Sequence, residues 1–111
     1  MSYKVFGQLS LAGSASETSQ AMSLDGGNAC QLSMVISYIA SSSAPTVVVQ
    51  ISNDGENWYD KATVTWPATA NAVGSYVQAS PTTGLGAAFM RVKVTAGAAI
   101  ILAIVANISQ Q

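Results

Sequence analysis

The stretch ISNDGENWYD, residues 51–60, decides how the rest of the chain is read. It overlaps the end of TVVVQIS, 46–52, a run rich in β-branched residues that suits a well-buried strand. Asp54-Gly55 between two such runs is a strong hairpin signal, because both central residues of a type I′ turn need φ > 0. With Asn53 and Glu56 flanking that turn, Ile51 comes to lie opposite Trp58, on the face of Val49 and Val47. The register therefore predicts Trp58 as a core residue, as large aromatics are mostly well buried. The competing reading leaves Trp58 exposed in a ligand loop. The same register brings Asp60 to the core face, an unfavourable place for a charge. A bulge near Trp58-Tyr59, or a position at the sheet rim, relieves it.

Working outward, period-two alternation recurs along the chain, bounded by Gly, Pro, Asn, Asp and Ser, and no helical period of useful length appears. Residues 3–11 place Tyr3, Val5, Gly7, Leu9 and Leu11 on one face. GSASETS, 13–19, reads as a loop, followed by a short strand at 20–24 and the turn DGGN, 25–28. In 29–39, Cys30, Leu32, Met34, Ile36 and Tyr38 alternate against Gln31, Ser33 and Ser37. ASSSAP, 40–45, breaks the pattern. After the hairpin, 58–66 turns Trp58, Ala62, Val64 and Trp66 inward and Tyr59, Lys61, Thr63 and Thr65 outward. PATANAVG, 67–74, is a loop, and SYVQAS, 75–80, a short strand stopped by Pro81. Residues 88–95 set Met90, Val92 and Val94 against Phe89, Arg91 and Lys93, and a last strand covers 99–108. The pattern predicts an all-β, single-domain antiparallel β-sandwich over 1–111, jelly-roll-like, with about eight strands. A strand-only pattern argues against a parallel sheet with crossover helices.

Half of the 111 residues are apolar and 8% are charged, against about 25% in ordinary soluble domains. Formal net charge is −1, from 4 Lys+Arg and 5 Asp+Glu. Such a chain offers nucleic acid no counter-charge, and its surface is poorly protected against self-association. The alternative is a monomer kept soluble by its many Ser, Thr, Asn and Gln. One cysteine, Cys30, excludes an internal disulfide. MSYKVFGQLSLAG lacks the apolar run of a signal peptide. The longest apolar run, AGAAIILAIVA at 96–106, is shorter than the roughly 20 residues a bilayer helix needs. The expectation is synthesis in the cytoplasm, with no membrane partner.

VVVQISNDGENWYD, 47–60, followed later by AAFMRVKVTAG, 87–97, resembles the pattern of small β-sandwich virion proteins of tailed phages. It is also similar to discoidin-like and carbohydrate-binding sandwich modules. In those chains a strand, a hairpin of the SNDG-x-x-W type and a later aromatic-x-R-V-x-V strand recur, and the likeness covers about half of this sequence. The phage resemblance implies a capsid decoration, head-fibre or minor virion role, a virion location, and partnership with other copies or with a capsid lattice. The calcium- and sugar-binding residues of the secreted modules do not carry over, since no matching acidic cluster or basic-aromatic constellation stands out.

The inventory for catalysis is thin. With 0 His, neither a Ser-His-Asp nor a Cys-His arrangement can form. No catalytic, cofactor-binding or metal-ligating residue is assigned. Asp54, Glu56 and Asp60 cluster at the hairpin, where oxygen ligands for a hard cation compete with the plainer reading of a solvated turn. GLG, 84–86, has no phosphate-loop Lys and reads as a loop. Cys30, on an apolar strand face, reads as an inert buried thiol. Arg91 and Lys93 face outward, either to pair with acids of a neighbouring copy or to guard an edge. A carbohydrate platform built from Tyr59, Trp66 and Tyr76 is the alternative to a structural role, and a non-viral surface filament or layer is a third.

The final strand stands apart. Ile100, Leu102, Ile104 and Ile108 form one apolar face, and Ile101, Ala103 and Val105 another. One face of a sandwich strand normally meets water. A strand apolar on both needs cover from a loop or from another subunit, and the expectation is a non-enzymatic, self-associating structural protein.

Overall fold

The alternating runs pair into two antiparallel sheets in the computed structural model, which describes residues 2–67 and 71–110. The strands are β1 Ser2–Leu11, β2 Ser16–Thr18, β3 Met22–Ser23, β4 Ala29–Ile39, β5 Thr46–Ser52, β6 Tyr59–Thr63, β7 Gly74–Val77, β8 Phe89–Thr95 and β9 Ile100–Ser109. One sheet has the order β1-β9-β4-β7, the other β2-β8-β5-β6, with β3 also on β8. Taken together as one broken strand, β2 and β3 leave eight strands in jelly-roll order. At the break, the Ser19 amide donates to the Val92 carbonyl at 2.8 Å, and the Ser19 hydroxyl accepts from the Val92 amide at 2.9 Å. The ladder of β8 is thus satisfied where the backbone of the broken strand departs. The loop expected at 13–19 and the strand expected at 20–24 therefore resolve differently, into β2 and the two-residue β3.

The core fills the space between the sheets, and period two selects it. Cys30, Leu32, Met34 and Ile36 of β4 and Ile100, Leu102, Ile104, Ala106 and Ile108 of β9 line one side. Val47 and Val49 of β5 with Met90, Val92 and Val94 of β8 line the other, and Leu24 and Leu85 close the ends from loops.

Three strands depart from strict alternation at bulges, two of them in β1, each bulge an extra residue that changes the face presented. In β1 the register shifts between Lys4 and Phe6 and again between Phe6 and Leu9, so Phe6 joins Tyr3, Val5 and Leu9 against the core while Gly7 is exposed. In β4 a shift between Ile36 and Tyr38 turns Tyr38 outward, 50% exposed, where alternation had put it inside. The third lies in the β5–β6 hairpin.

That hairpin is wider than the Asp-Gly signal predicts. Gly55 takes φ +77°, but Asp54 does not adopt positive φ, so the turn is not type I′. Asp54 instead organises the loop with its side chain. Its carboxylate accepts from the Glu56 and Asn57 amides, both at 2.9 Å, and from Asn57 Nδ2 at 2.7 Å. The Ser52 hydroxyl donates to it at 2.9 Å. The ladder closes at Ile51 opposite Tyr59, not Ile51 opposite Trp58. Trp58 therefore lies outside the ladder and outside the core, half-buried, which corrects the core reading. Val49 faces Ala62 while Gln50 faces Asp60, so Lys61 is the extra residue. The bulge anticipated near Trp58-Tyr59 falls instead at Lys61, where it returns Ala62 to the inner face; Asp60 already lies on the exposed face, opposite Gln50, because the loop is one residue wider.

Candidate functional site

A two-layer sandwich presents two outer faces, and in this chain they differ sharply in chemistry. On the four-stranded sheet, burial of Ile100, Leu102 and Ile104 forces Ile101, Ala103 and Val105 outward. Register then sets their neighbours. Val105 lies between Lys4 of β1 and Ser33 of β4, with Val77 of β7 beyond. Ala103 lies beside Val35, and Ile101 between Ser10 and Tyr38. Val35, Tyr38 and Val77 are 45%, 50% and 51% exposed. Ile101, Ala103 and Val105 are half-buried between their neighbours in the sheet. The outward apolar face read from the last strand is present, and it continues across β4 and β7.

Four strands about 4.8 Å apart and some six residues long make this face about 19 by 20 Å. Ser10, Ser33 and Ser75 interrupt its apolar side chains, so the apolar patch is smaller than that outline. Lys4 is the charge that borders it. The edges of the same molecule are guarded. β1 is broken by its bulges, β7 is 4 residues long, and β6 at the edge of the other sheet carries Asp60 and Lys61. These edges thus discourage strand addition.

The outer face of the five-stranded sheet is polar. Arg91 and Lys93 of β8 point away from the buried Met90, Val92 and Val94. Gln50 lies opposite Arg91 in one direction and Asp60 in the other. Arg91 Nε donates to Gln50 Oε1 at 2.7 Å, and Gln50 Nε2 donates to Asp60 Oδ1 at 2.7 Å. The Arg91 guanidinium carbon stands 4.3 Å from the centroid of the Trp58 ring. A cation over an indole contributes about 0.5–1 kcal/mol at an exposed site and about 2 when desolvated. Trp58 is therefore neither a core plug nor a bare aromatic tip, since Arg91 covers its ring. Sequence reasoning found Arg91 outward but missed this relay, because Trp58 and Asp60 reach it only through the wider loop.

The remaining candidates separate. Tyr59 is 67% exposed at the sheet edge. Tyr76 lies opposite Met34, packs against the core, and donates its hydroxyl to the Ala72 carbonyl at 2.7 Å. Trp66 also packs against the core, and its Nε1 finds no acceptor among the described residues. These three aromatics do not form the shared platform that a sugar face needs, which corrects that grouping. Asp54 spends its carboxylate on the loop, and among the described residues no three of His, Cys, Asp and Glu gather as metal ligands. Cys30 is buried, and burial pushes its thiol up to about 11, with the Thr82 hydroxyl bond opposing. A cleft of about 380 Å³ runs between β6 and the 78–83 loop, with Lys61 and several hydroxyls at its wall. Another, of about 430 Å³, separates β1 from β3.

No family model and no curated protein matches the chain. Among solved structures it is similar to a Clostridium perfringens protein, CpGH89CBM32-6, with 16% identity and a TM-score of 0.44, over 91% of this chain and 77% of that one.

Proposed function

We propose that this chain is a non-enzymatic structural protein that self-associates through the outer face of its four-stranded sheet. The observation that carries the reading is the continuous uncharged surface of Val35, Tyr38, Val77, Ile101, Ala103 and Val105 on a chain with 8% charged residues. Its occupant is a second copy, related by a two-fold axis so that each face packs on its own kind. Full burial of a Val- or Ile-sized side chain contributes about 1.5–3 kcal/mol, so the exposed halves of Val35, Tyr38 and Val77 contribute about 2–4.5 kcal/mol per copy. Two-fold symmetry doubles that to about 4–9 kcal/mol, against an association cost of about 4–15 kcal/mol. A single pair of copies is therefore marginal, and association through this face is favoured at high protein concentration. The resemblance of residues 47–60 and 87–97 to phage virion proteins supports a particle as the setting, with this chain as a decoration or minor component.

Sedimentation across a concentration series tests the reading. Growth in mass with concentration is the expected outcome. A chain that stays monomeric at the highest concentration and fails to dock on any particle overturns it. Micromolar glycan-array hits lost in Tyr59→Ala would instead favour the sugar-binding alternative.

A further inference from the structure

We infer that Arg91, stacked on Trp58, is a binding site for a carboxylate on the outer face of the five-stranded sheet. The inference is independent of self-association, because the two faces lie on opposite sides of the sandwich.

Three features prepare the guanidinium. It is held in place: Nε donates to Gln50 Oε1, and Gln50 Nε2 donates one proton to Asp60 Oδ1, so the oxygen of that amide is kept turned towards Arg91. It is covered on one side by the Trp58 ring at 4.3 Å. It is half-buried, which lowers the local dielectric without sealing the site. Gln50 and Trp58 account for its contacts among the described residues, so the end-on fork of the two Nη groups remains to be used.

That fork matches the two oxygens of a planar carboxylate, which Arg binds in a bidentate manner. A second cation is near. Lys93 lies two residues along the same face, about 7 Å away at a strand rise of about 3.3 Å. Asp60 is exposed and bonded to Gln50, and Asp54 turns its carboxylate to the amides of its own loop. A latch that only pinned the hairpin would need the stack but not a fork left open to water.

The test uses Trp58 as the reporter, in full-length protein carrying Trp66→Phe. N-acetyl-glutamate is titrated at constant ionic strength, with N-acetyl-glutamine and chloride as controls and glucuronate in parallel. A saturable change in Trp58 emission with either carboxylate, absent with both controls, is the expected result. The side-chain Nε resonance of Arg91 should move with the same midpoint. The more effective carboxylate tells a protein acid from an acidic sugar as the source. Arg91→Lys keeps the charge and loses the fork, so binding should weaken about tenfold or more. Equal responses to N-acetyl-glutamate, N-acetyl-glutamine and chloride overturn the inference, as does undiminished binding in a folded Arg91→Lys. Should that variant unfold, the comparison of carboxylate with amide in the Trp66→Phe protein decides alone.

Discussion

Replacing Val35 with lysine should leave the sandwich folded and dissolve its assemblies. Val35 is 45% exposed at the middle of the four-stranded sheet, beside Ala103, and touches water on the face that self-association would cover. In the isolated chain the substitution removes about half of a valine's burial, roughly 0.75–1.5 kcal/mol, and the lysine stem recovers part of that by lying along the sheet. In a two-fold contact the loss is different. Each copy forfeits the remaining half, so the pair loses about 1.5–3 kcal/mol from burial alone. Each copy also brings an ammonium group into an interface that offers no carboxylate, which costs further. A loss of about 3 kcal/mol already weakens association more than 100-fold. Sedimentation velocity over a concentration series reads the assembly, and thermal unfolding by circular dichroism reads the fold. Thr63→Lys, exposed on the opposite sheet, serves as the control and should change neither. Val77→Lys, on the short β7, should repeat the Val35 result. If Val35→Lys sediments with the wild-type mass at every concentration and melts unchanged, the four-stranded face is not an interface and the reasoning fails.

Trp58→Ala, made in Trp66→Phe protein, should cost about 1–2 kcal/mol in urea unfolding, from a half-buried ring and a lost cation contact. A cost of about 3–5 kcal/mol would restore the core reading. Asp54 is held well below the ordinary carboxylate range by the Asn57 and Glu56 amides, then by the Asn57 side chain and the Ser52 hydroxyl. A carboxylate with a depressed folded value contributes stability that is present above its unfolded pKa, about 3.9, and is lost as pH falls towards the folded one. Asp54→Asn should therefore show a shallower loss of stability below about pH 4 than the wild type, and parallel acid limbs in urea midpoints would refute that role. Cys30, with its thiol raised to about 11, should resist an aromatic disulfide reagent at pH 8 until the protein unfolds. Rapid labelling of native protein would contradict its burial.

Alternation by itself determined the interior. Leu32, Met34 and Ile36, Met90, Val92 and Val94, and Ile100, Leu102 and Ile104 were legible because a strand's side chains change face at every residue and the core accepts only apolar ones. The same period exposed the second apolar face of β9, so the candidate interface was half visible as Ile101, Ala103 and Val105. Its other half, Val35, Tyr38 and Val77, depended on which strands flank β9. Those pairings join residues far apart in the chain, and no local period encodes them. Tyr38 shows the point most plainly, since one bulge carried it from the predicted core to the surface. The Trp58–Arg91–Gln50–Asp60 relay was decided by tertiary structure alone. An Asp-Gly pair specifies a reversal of the chain, but the width of the loop followed from Asp54 taking the amides of Glu56 and Asn57. That width set Ile51 opposite Tyr59 and Gln50 opposite Asp60, and one extra residue at Lys61 then returned Ala62 to face Val49. Shifting a strand by one residue exchanges its two faces, so a one-residue difference placed Trp58 against a cation on the surface instead of among the aliphatic side chains of the core.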